Sequence, residues 1–313
     1  MARGGFVAFA DYNFPMSETG RTDSGAPAPG VSIRRHPRDY RGNLYVYPVL
    51  SRRARGLSIG INLNPDKVCN FDCIYCQVDR RTPPPVRDVD EPRLYDELRR
   101  MLGEARSGAL FERPEFQGVP ADQRVVRDIT FSGDGEPPSY PRFLEVVREV
   151  LAIKRAAGYD GLKVVVLTNA TLLDRPAVQE AMRLLDEDHG EYWLKLDAGT
   201  EAYYDLVERT SVPFAKVLRN ILQAARVRPV ILQSLFMRVH GSPPPAAEIA
   251  AYCDRVREIL SGGGRVGLIQ VYTVARTPAE SYVAPLTDAE VDAIAAEVRK
   301  SLPVAVEAFY SDR

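Results

Sequence analysis

The chain alternates strand-like and helix-like segments about six times after Leu57, and this alternation limits the folds open to it. Apolar, often β-branched runs predict strands, and stretches with helical spacing of apolar residues follow them. The strand-like runs are LSIGINLNP, VRDITFSG, LKVVVLTNA, YWLKLDA, PVILQSLFMRV, RVGLIQVYTV and VAVEAFY. Helical spacing begins at residues 91–108 and recurs up to LTDAEVDAIAAEVRKSL, where Thr287 and Glu290 predict a capping box. This alternation of strands and helices implies parallel strands with right-handed crossovers, in either a barrel or an open doubly wound sheet.

Unusual polar residues follow the ends of four successive strands. Three cysteines come after the first strand, SGDGEPP after the second, TNAT after the third and KLDAGT at the fourth. In both architectures, ligands bind at the carboxyl ends of the strands. The sequence therefore predicts one site that gathers these four segments.

The cysteine segment, KVCNFDCIYCQVDRR, has the spacing C-x3-C-x2-C at Cys69, Cys73 and Cys76. Soft thiolates suit zinc or an iron–sulfur cluster. Structural zinc takes four ligands, and no second cysteine pair is near. A disulfide would leave one thiol over, whereas a cluster on three thiolates leaves one iron open for a ligand. Cys253 lies among apolar neighbours in a predicted helix, which favours a buried core residue.

Composition sets limits on the class of protein. The chain has 313 residues, 45% of them hydrophobic, enough for one large α/β domain or two ordinary ones. A formal net charge of -1 argues against a globally basic nucleic-acid binder. The N-terminal residues lack the apolar core of a signal peptide, and no run of 18 apolar residues predicts a membrane span. We therefore expect a cytoplasmic protein with no membrane partner.

The segment CNFDCIYC resembles the signature of the radical S-adenosylmethionine (SAM) superfamily, including the aromatic Tyr75 before the last cysteine. The resemblance implies a partial (β/α)6 TIM-like barrel and a [4Fe–4S] cluster on Cys69, Cys73 and Cys76. It also implies that SAM binds the open iron and that Tyr75 packs near its adenine. Reductive cleavage of SAM would then give methionine and a 5′-deoxyadenosyl radical that abstracts hydrogen from a substrate. The electron would come from an external flavodoxin- or ferredoxin-type reductant.

A second segment, FSGDGEPP, resembles the glycine-rich edge that hydrogen-bonds the methionine amino group in the same superfamily. The resemblance carries that role to Gly133, Asp134, Gly135 and Glu136. Glycines also allow a close approach of the backbone to a ligand. An ordinary turn after a strand is the alternative, since Gly, Asp and Pro favour turns.

Later strand ends supply further candidates. Thr168 and Asn169 are predicted to hydrogen-bond the ribose or the substrate. Lys195 and Asp197 share one strand face and are candidate catalytic residues, Lys195 also as a partner of a ligand carboxylate. Because buried charges need partners, a purely structural Lys195–Asp197 pair is the alternative. Three other strand-end residues are weaker candidates with core or rim roles as the alternative: Gln233, Ser234 and Tyr272.

Within the superfamily, the motif segments look most like the wyosine-synthase-related group, which acts on a guanosine in tRNA. The chain departs from that group because no cysteine precedes Cys69 to bind a second cluster. Modification of a small metabolite and glycyl-radical activation of a partner protein are therefore alternatives. A zinc-stabilised binding module and a simple electron carrier are the alternatives from outside the enzymes.

The predicted domain division is an N-terminal extension, residues 1–56, followed by the barrel domain, residues 57–313. Residues 17–30 are rich in Ser, Gly, Pro and Ala and predict a loop. Residues 34–55 carry seven arginines, one acid and the interleaved Tyr40, Tyr45 and Tyr47. This segment predicts either RNA binding, with tyrosines stacked on bases, or a solvated rim with the tyrosines packed beneath it.

Overall fold

A computed structural model describes residues 40–311 of the chain, and the predicted loop at 17–30 lies outside this range. Its central element is an eight-stranded sheet with the order β1-β2-β3-β4-β5-β6-β8-β10. Adjacent strands from β2 onward are parallel. The strands of this sheet are β1 (Val46–Ser51), β2 (Gly56–Ile61), β3 (Val126–Phe131), β4 (Lys163–Thr168), β5 (Gly190–Lys195), β6 (Val230–Leu235), β8 (Val266–Tyr272) and β10 (Val306–Phe309).

Helices connect the parallel strands and bury their apolar faces against the sheet. Leu98 of the first helix, Val147 of the second and Ile221 of the fifth are fully buried in the core cluster. The helices are α1 (Glu91–Ser107), α2 (Phe143–Ala156), α3 (Pro176–Asp186), α4 (Glu201–Glu208), α5 (Phe214–Val227), α6 (Ala246–Ser261) and α7 (Asp288–Ser301). The order of strands and helices confirms the predicted partial (β/α)6 TIM-like barrel.

Local signals placed several element ends correctly. The capping box of α7 forms, with Thr287 accepting from the Glu290 amide. Gly108 ends α1 in the left-handed conformation, at φ 84°. Cys253 of α6 is fully buried, as its apolar neighbours predict.

Several elements differ from the sequence expectations. Helix α4 follows KLDAGT directly and was not predicted. The run PVILQSLFMRV divides into β6 and a short β7 (Arg238–Val239), which pairs with β9 (Val283–Ala284) in a separate sheet. Phe236 and Met237, both fully buried, separate β6 from β7.

Strand β1 lies within the segment assigned to the N-terminal extension, yet it pairs antiparallel with β2 along its whole length. Tyr47 stands opposite Gly60, and a Cβ atom at Gly60 would lie only 2.5–2.9 Å from atoms of the tyrosine ring. Glycine is therefore required at position 60 for this close approach. Strand β1 is therefore an edge strand of the sheet, in a region where the sequence predicted no strand.

Within residues 40–311, no helix is both long enough and apolar enough to cross a membrane.

Candidate functional site

A cavity of about 610 Å³ opens where the parallel strands end, and all four predicted polar segments contribute to its lining. The cysteine segment, residues 133–136 after β3, the end of β4 and the end of β5 all contribute. The predicted site residues that line it are Cys69, Cys73, Tyr75, Cys76, Gly133, Asp134, Gly135, Glu136, Thr168, Asn169, Lys195, Gln233 and Tyr272. Placement at one cavity agrees with the sequence analysis, while the individual roles of these residues remain predictions.

The cysteine loop is fixed in place by the end of α4. The amides of Asp72 and Ile74 donate to the carbonyls of Glu208 and Val207, at 3.1 and 2.9 Å. Immediately after the helix, the Arg209 guanidinium donates to the Asp72 carbonyl at 2.7 Å. Backbone bonds of this kind hold the loop against the barrel without using any of the three thiols.

A buried carboxyl group approaches one of the cysteines that line the cavity. Glu208, only 2% exposed, lies with its Oε2 2.7 Å from the Cys73 Sγ. The Tyr75 hydroxyl lies 3.1 Å from Glu208 Oε1 and also donates to Asp197. Burial first, and the Asp197 charge second, raise the pKa of Glu208 to about 8. Burial and this carboxyl together also raise the pKa of the Cys73 thiol.

Lys195 and Asp197 form the ion pair considered from the sequence, with Lys195 Nζ 2.9 Å from Asp197 Oδ2. Asp197 is completely buried and also accepts the Leu235 amide at 2.7 Å, so its charge is well satisfied. Burial alone would lower the pKa of Lys195, but the Asp197 carboxylate holds it well above its usual value. The ammonium group also lies 4.8 Å from the centre of the Tyr75 ring.

The glycines of the 133–136 segment allow close packing against the cysteine side of the cavity. A Cβ atom at Gly135 would collide with the Val68 carbonyl oxygen and lie 2.6 Å from Asn64 Cβ. One at Gly133 would collide with the Asn62 side chain. Asn62 in turn donates to Asp134 Oδ2 at 2.8 Å. The two glycines are therefore explained by contacts within the protein, which join the first and second predicted segments.

Glu136 joins the second segment to the third. Its Oε2 accepts the Asn169 amide at 2.9 Å, and its Oε1 accepts the Thr168 hydroxyl. Burial raises the pKa of Glu136 to about 7, although these two hydrogen bonds act in the opposite direction. Asn169 also donates to Asn70 Oδ1 at 2.8 Å, next to Cys69. The network therefore links three strand ends at the cysteine loop.

Ser234 does not contribute to the cavity. It faces away from the barrel interior and shares a 2.7 Å hydrogen bond with the buried Tyr252 hydroxyl of α6. The core role considered as its alternative is therefore the one that the structure assigns.

Two residues at or beside the cavity were not among the individual site candidates named from the sequence. Glu208 reaches Cys73 across 135 residues of chain, from a helix that was not predicted. Arg53 enters from the turn between β1 and β2, in the segment predicted to be an extension. Tyr40, Tyr45 and Tyr47 of that segment are 5%, 2% and 1% exposed, so they are packed beneath it.

The donor set around the cavity fits an iron–sulfur cluster. Three thiols line it, and Arg80 Nη2 lies 3.6 Å from Cys76 Sγ, where its charge would offset that of thiolate ligands. Within residues 40–311, no three His, Cys, Asp or Glu side chains converge as a single metal ion requires.

Comparison with known proteins gives relatives in sequence and in fold. No protein-family model matches the chain. A UPF0026 protein of Helicobacter pylori strain J99 is 26% identical over 214 residues, covering 68% of this chain and 61% of that protein. The chain therefore spans less than two thirds of the length of this relative.

Solved structures support the fold. SuiB of Streptococcus suis, in a crystal structure bound to S-adenosylmethionine, aligns with a TM-score of 0.53 at 12% identity. The alignment covers 82% of this chain and 52% of SuiB. TYW1 with a lysine-pyruvate adduct bound aligns with a TM-score of 0.47 at 13% identity, over 82% of this chain and 84% of that chain. The partial barrel and the similarity to SuiB agree on the fold that the resemblance of the cysteine motif implies.

Proposed function

We propose that this protein is a radical SAM enzyme that binds a [4Fe–4S] cluster through Cys69, Cys73 and Cys76. The observation that carries the proposal is the meeting of the cysteine motif with residues 133–136 at one cavity of about 610 Å³. A volume of this size accommodates a cofactor together with a small substrate. The fold and the motif spacing support the same conclusion.

When bound, the cluster and SAM supply reductive cleavage of the sulfonium, which gives methionine and a 5′-deoxyadenosyl radical for hydrogen abstraction. The protein binds and orients these groups. Residues 133–136 would receive the methionine end of SAM, and Tyr75 would pack near the adenine. Thr168 and Asn169 hold the buried Glu136 in a fixed orientation at this end of the cavity. The turn between β1 and β2 and the cysteine loop both line the cavity, and they would limit the entry of water.

An external one-electron reductant of the flavodoxin or ferredoxin type would supply the electron.

Wyosine-synthase-like modification of a tRNA base is the second candidate function. It is favoured by one observation, the presence of Arg52 and Arg53 from the basic segment in the cavity lining. Because Tyr40, Tyr45 and Tyr47 are buried, this mode of RNA binding would depend on the arginines.

Anaerobic reconstitution with iron and sulfide, followed by dithionite and SAM, tests the proposal through chromatographic detection of 5′-deoxyadenosine. We expect cleavage by the wild-type protein and by Cys253→Ala, whose thiol is buried in the core, and none by Cys73→Ala. Cleavage that survives Cys73→Ala would contradict the cluster assignment. Deuterated candidate substrates, including tRNA, would then identify the hydrogen donor by label transfer to 5′-deoxyadenosine.

A further inference from the structure

The turn between β1 and β2 carries an arginine into the cavity. Arg53 lines the cavity beside the strand ends. Its guanidinium carbon lies 4.9 Å from the centre of the Tyr272 ring and 5.5 Å from that of Trp193. Arginine stacks well on aromatic faces because its guanidinium is planar and weakly hydrated. Contact with two aromatic rings restricts the position of the guanidinium and uses none of its N–H donors, which can therefore serve a ligand.

Arg53 differs from the neighbouring cations in what it contacts. Arg55, in the same turn, lies 3.7 Å from the Glu307 carboxylate, and Lys195 is paired with Asp197. For Arg53, the contacts within residues 40–311 are aromatic rings, and no carboxylate there pairs with it. A cation held in a partly enclosed cavity without a counter-charge attracts an anion, and the guanidinium edge matches carboxylate and phosphate oxygens.

A buried hydrogen-bond acceptor lines the same cavity. Gln233 is fully buried, lines the cavity and donates its Nε2 to Gln270 Oε1 at 2.8 Å. Within the described residues, its Oε1 has no hydrogen-bond partner. An unsatisfied buried carbonyl costs free energy, which a ligand N–H or O–H would recover.

The strand register brings the two groups to one side of the cavity. Gln233 of β6 stands opposite Lys195 of β5. Lys195 Nζ lies 3.3 Å from the hydroxyl of Tyr272, whose ring lies beneath Arg53. Residues 133–136, Thr168 and Asn169 come instead from the ends of β3 and β4. The cavity therefore has a β3–β4 side with residues 133–136, Thr168 and Asn169, and a β5–β6–β8 side with Lys195, Arg53 and Gln233.

We propose that Arg53 and Gln233 form the substrate subsite of this cavity, and that the substrate is an anionic molecule with a carboxylate or phosphate group. Arg53 binds the anionic group, and Gln233 Oε1 accepts a hydrogen bond from a hydroxyl, amine or amide of the same molecule. The assignment as substrate subsite rests on the proposed function, whereas anion binding itself can be measured without it.

The test uses the full-length, cluster-free protein, so its outcome is independent of SAM cleavage. Acetate, glycolate and inorganic phosphate are the probes, titrated by isothermal calorimetry at constant ionic strength against chloride. Trp193 is the single tryptophan of the chain, and its fluorescence reports binding beside Arg53. Comparison of acetate with phosphate distinguishes a carboxylate from a phosphate subsite, and comparison of acetate with glycolate measures the added hydroxyl.

We expect saturable binding of at least one probe, with a change in Trp193 fluorescence. Arg53→Gln should weaken it by about tenfold to a hundredfold, because a charged hydrogen bond is lost. Arg53→Lys should recover part of the affinity, since it keeps the charge without the planar fork. Gln233→Leu should remove any preference for glycolate over acetate while acetate binding persists. The matched control is Arg55→Gln, in the same turn but paired outside the cavity, which should bind as the wild type does.

Equal affinities in the wild type and a folded Arg53→Gln variant would overturn the proposal, and so would an absence of saturable binding by all three probes. Far-ultraviolet circular dichroism shows whether each variant folds, and Arg53→Lys keeps the test valid if Arg53→Gln does not. Anion binding in a protein that never cleaves SAM would contradict the proposed function alone. Cleavage of SAM without anion binding would contradict this inference alone.

Discussion

At the scale of single residues, the site contains two buried carboxyl groups whose surroundings favour the protonated form. Glu136 and Glu208 are 3% and 2% exposed, and burial is the main cause of the raised pKa of each. Glu136 nevertheless accepts two hydrogen bonds, which limits its shift to a pKa of about 7. A neutral carboxyl beside bound thiolates would add no negative charge to the cavity.

The first prediction concerns the pH dependence of stability. A carboxyl with a pKa raised in the folded state contributes stability that is present at low pH and is lost as the pH rises through the folded value. As the pH rises from 5 to 7, the ionisation of Glu136 should therefore lower the free energy of unfolding of the cluster-free protein by roughly 2 kcal/mol. Glu136→Gln should remove this part of the pH dependence, as measured by urea unfolding at both pH values.

The control for Glu136 is Glu145→Gln, an exposed residue near the start of α2. It should keep the pH dependence of the wild type. An identical pH dependence in Glu136→Gln and the wild type would show that Glu136 titrates in the folded state as it does in the unfolded chain.

At the scale of elements, short-range patterns predicted the strands and helices, and long-range contacts explain what was missed. The sequence predicted that Cys69, Cys73, Cys76 and the 133–136 segment lie at one site, because each is a local motif that follows the end of a strand. Glu208 could not be predicted in this way, because only the packing of α4 against the cysteine loop brings it to Cys73. No periodicity within one segment indicates which distant segment will cover it.

Strand β1 shows the same limit. VYPVLS lies within a basic segment and contains proline, so its residues read as part of an extension. What makes it a strand is β2, whose edge it covers, and Gly60, which leaves room for the Tyr47 ring. The pairing therefore depends on a residue in the partner strand.

The second prediction tests this contact. Gly60→Ala should reduce the free energy of unfolding by about 1–3 kcal/mol, because its Cβ would overlap the Tyr47 ring. Urea unfolding measures the change. Gly267→Ala on β8 is the matched control, since the nearest atoms to its Cβ are 3.9 Å away, and it should cost far less.

A double variant with Tyr47→Ala separates overlap from a general intolerance of alanine at position 60. The cost of Gly60→Ala should fall when the ring is absent, which gives a coupling between the two positions. Equal costs for Gly60→Ala and Gly267→Ala would show that β1 does not pack on β2 as described.

At the scale of the whole molecule, the cavity joins parts of the chain that are distant in sequence. Its lining residues come from positions between Asn43 and Arg276. They belong to the β1–β2 turn, the cysteine loop and five strand ends. A ligand bound here would contact several elements of the fold at once. Ligand binding should therefore stabilise the entire domain against unfolding.

The third prediction follows from this arrangement. With SAM at a hundred times its dissociation constant, the reconstituted protein should gain about 2.7 kcal/mol in free energy of unfolding. Anaerobic thermal unfolding with and without SAM measures the gain. Cys253→Ala should show the same gain from SAM, while Cys73→Ala, or removal of iron by a chelator, should abolish it. A gain that persists without iron would mean that SAM binds independently of the cluster.

The antiparallel pairing of β1 has a consequence for the biosynthesis of the chain. All six residues of β2 are buried, and its next partner, β3, begins only at Val126. A newly made apolar strand with open edges can pair with another chain and begin aggregation.

Because β1 immediately precedes β2, the hairpin can close by a short-range contact before β3 is synthesised. Pro48 lacks an amide donor, which makes the outer edge of β1 a poorer template for a further strand. We therefore expect the hairpin that brings Arg53 to the cavity to protect the nascent sheet from intermolecular pairing as well.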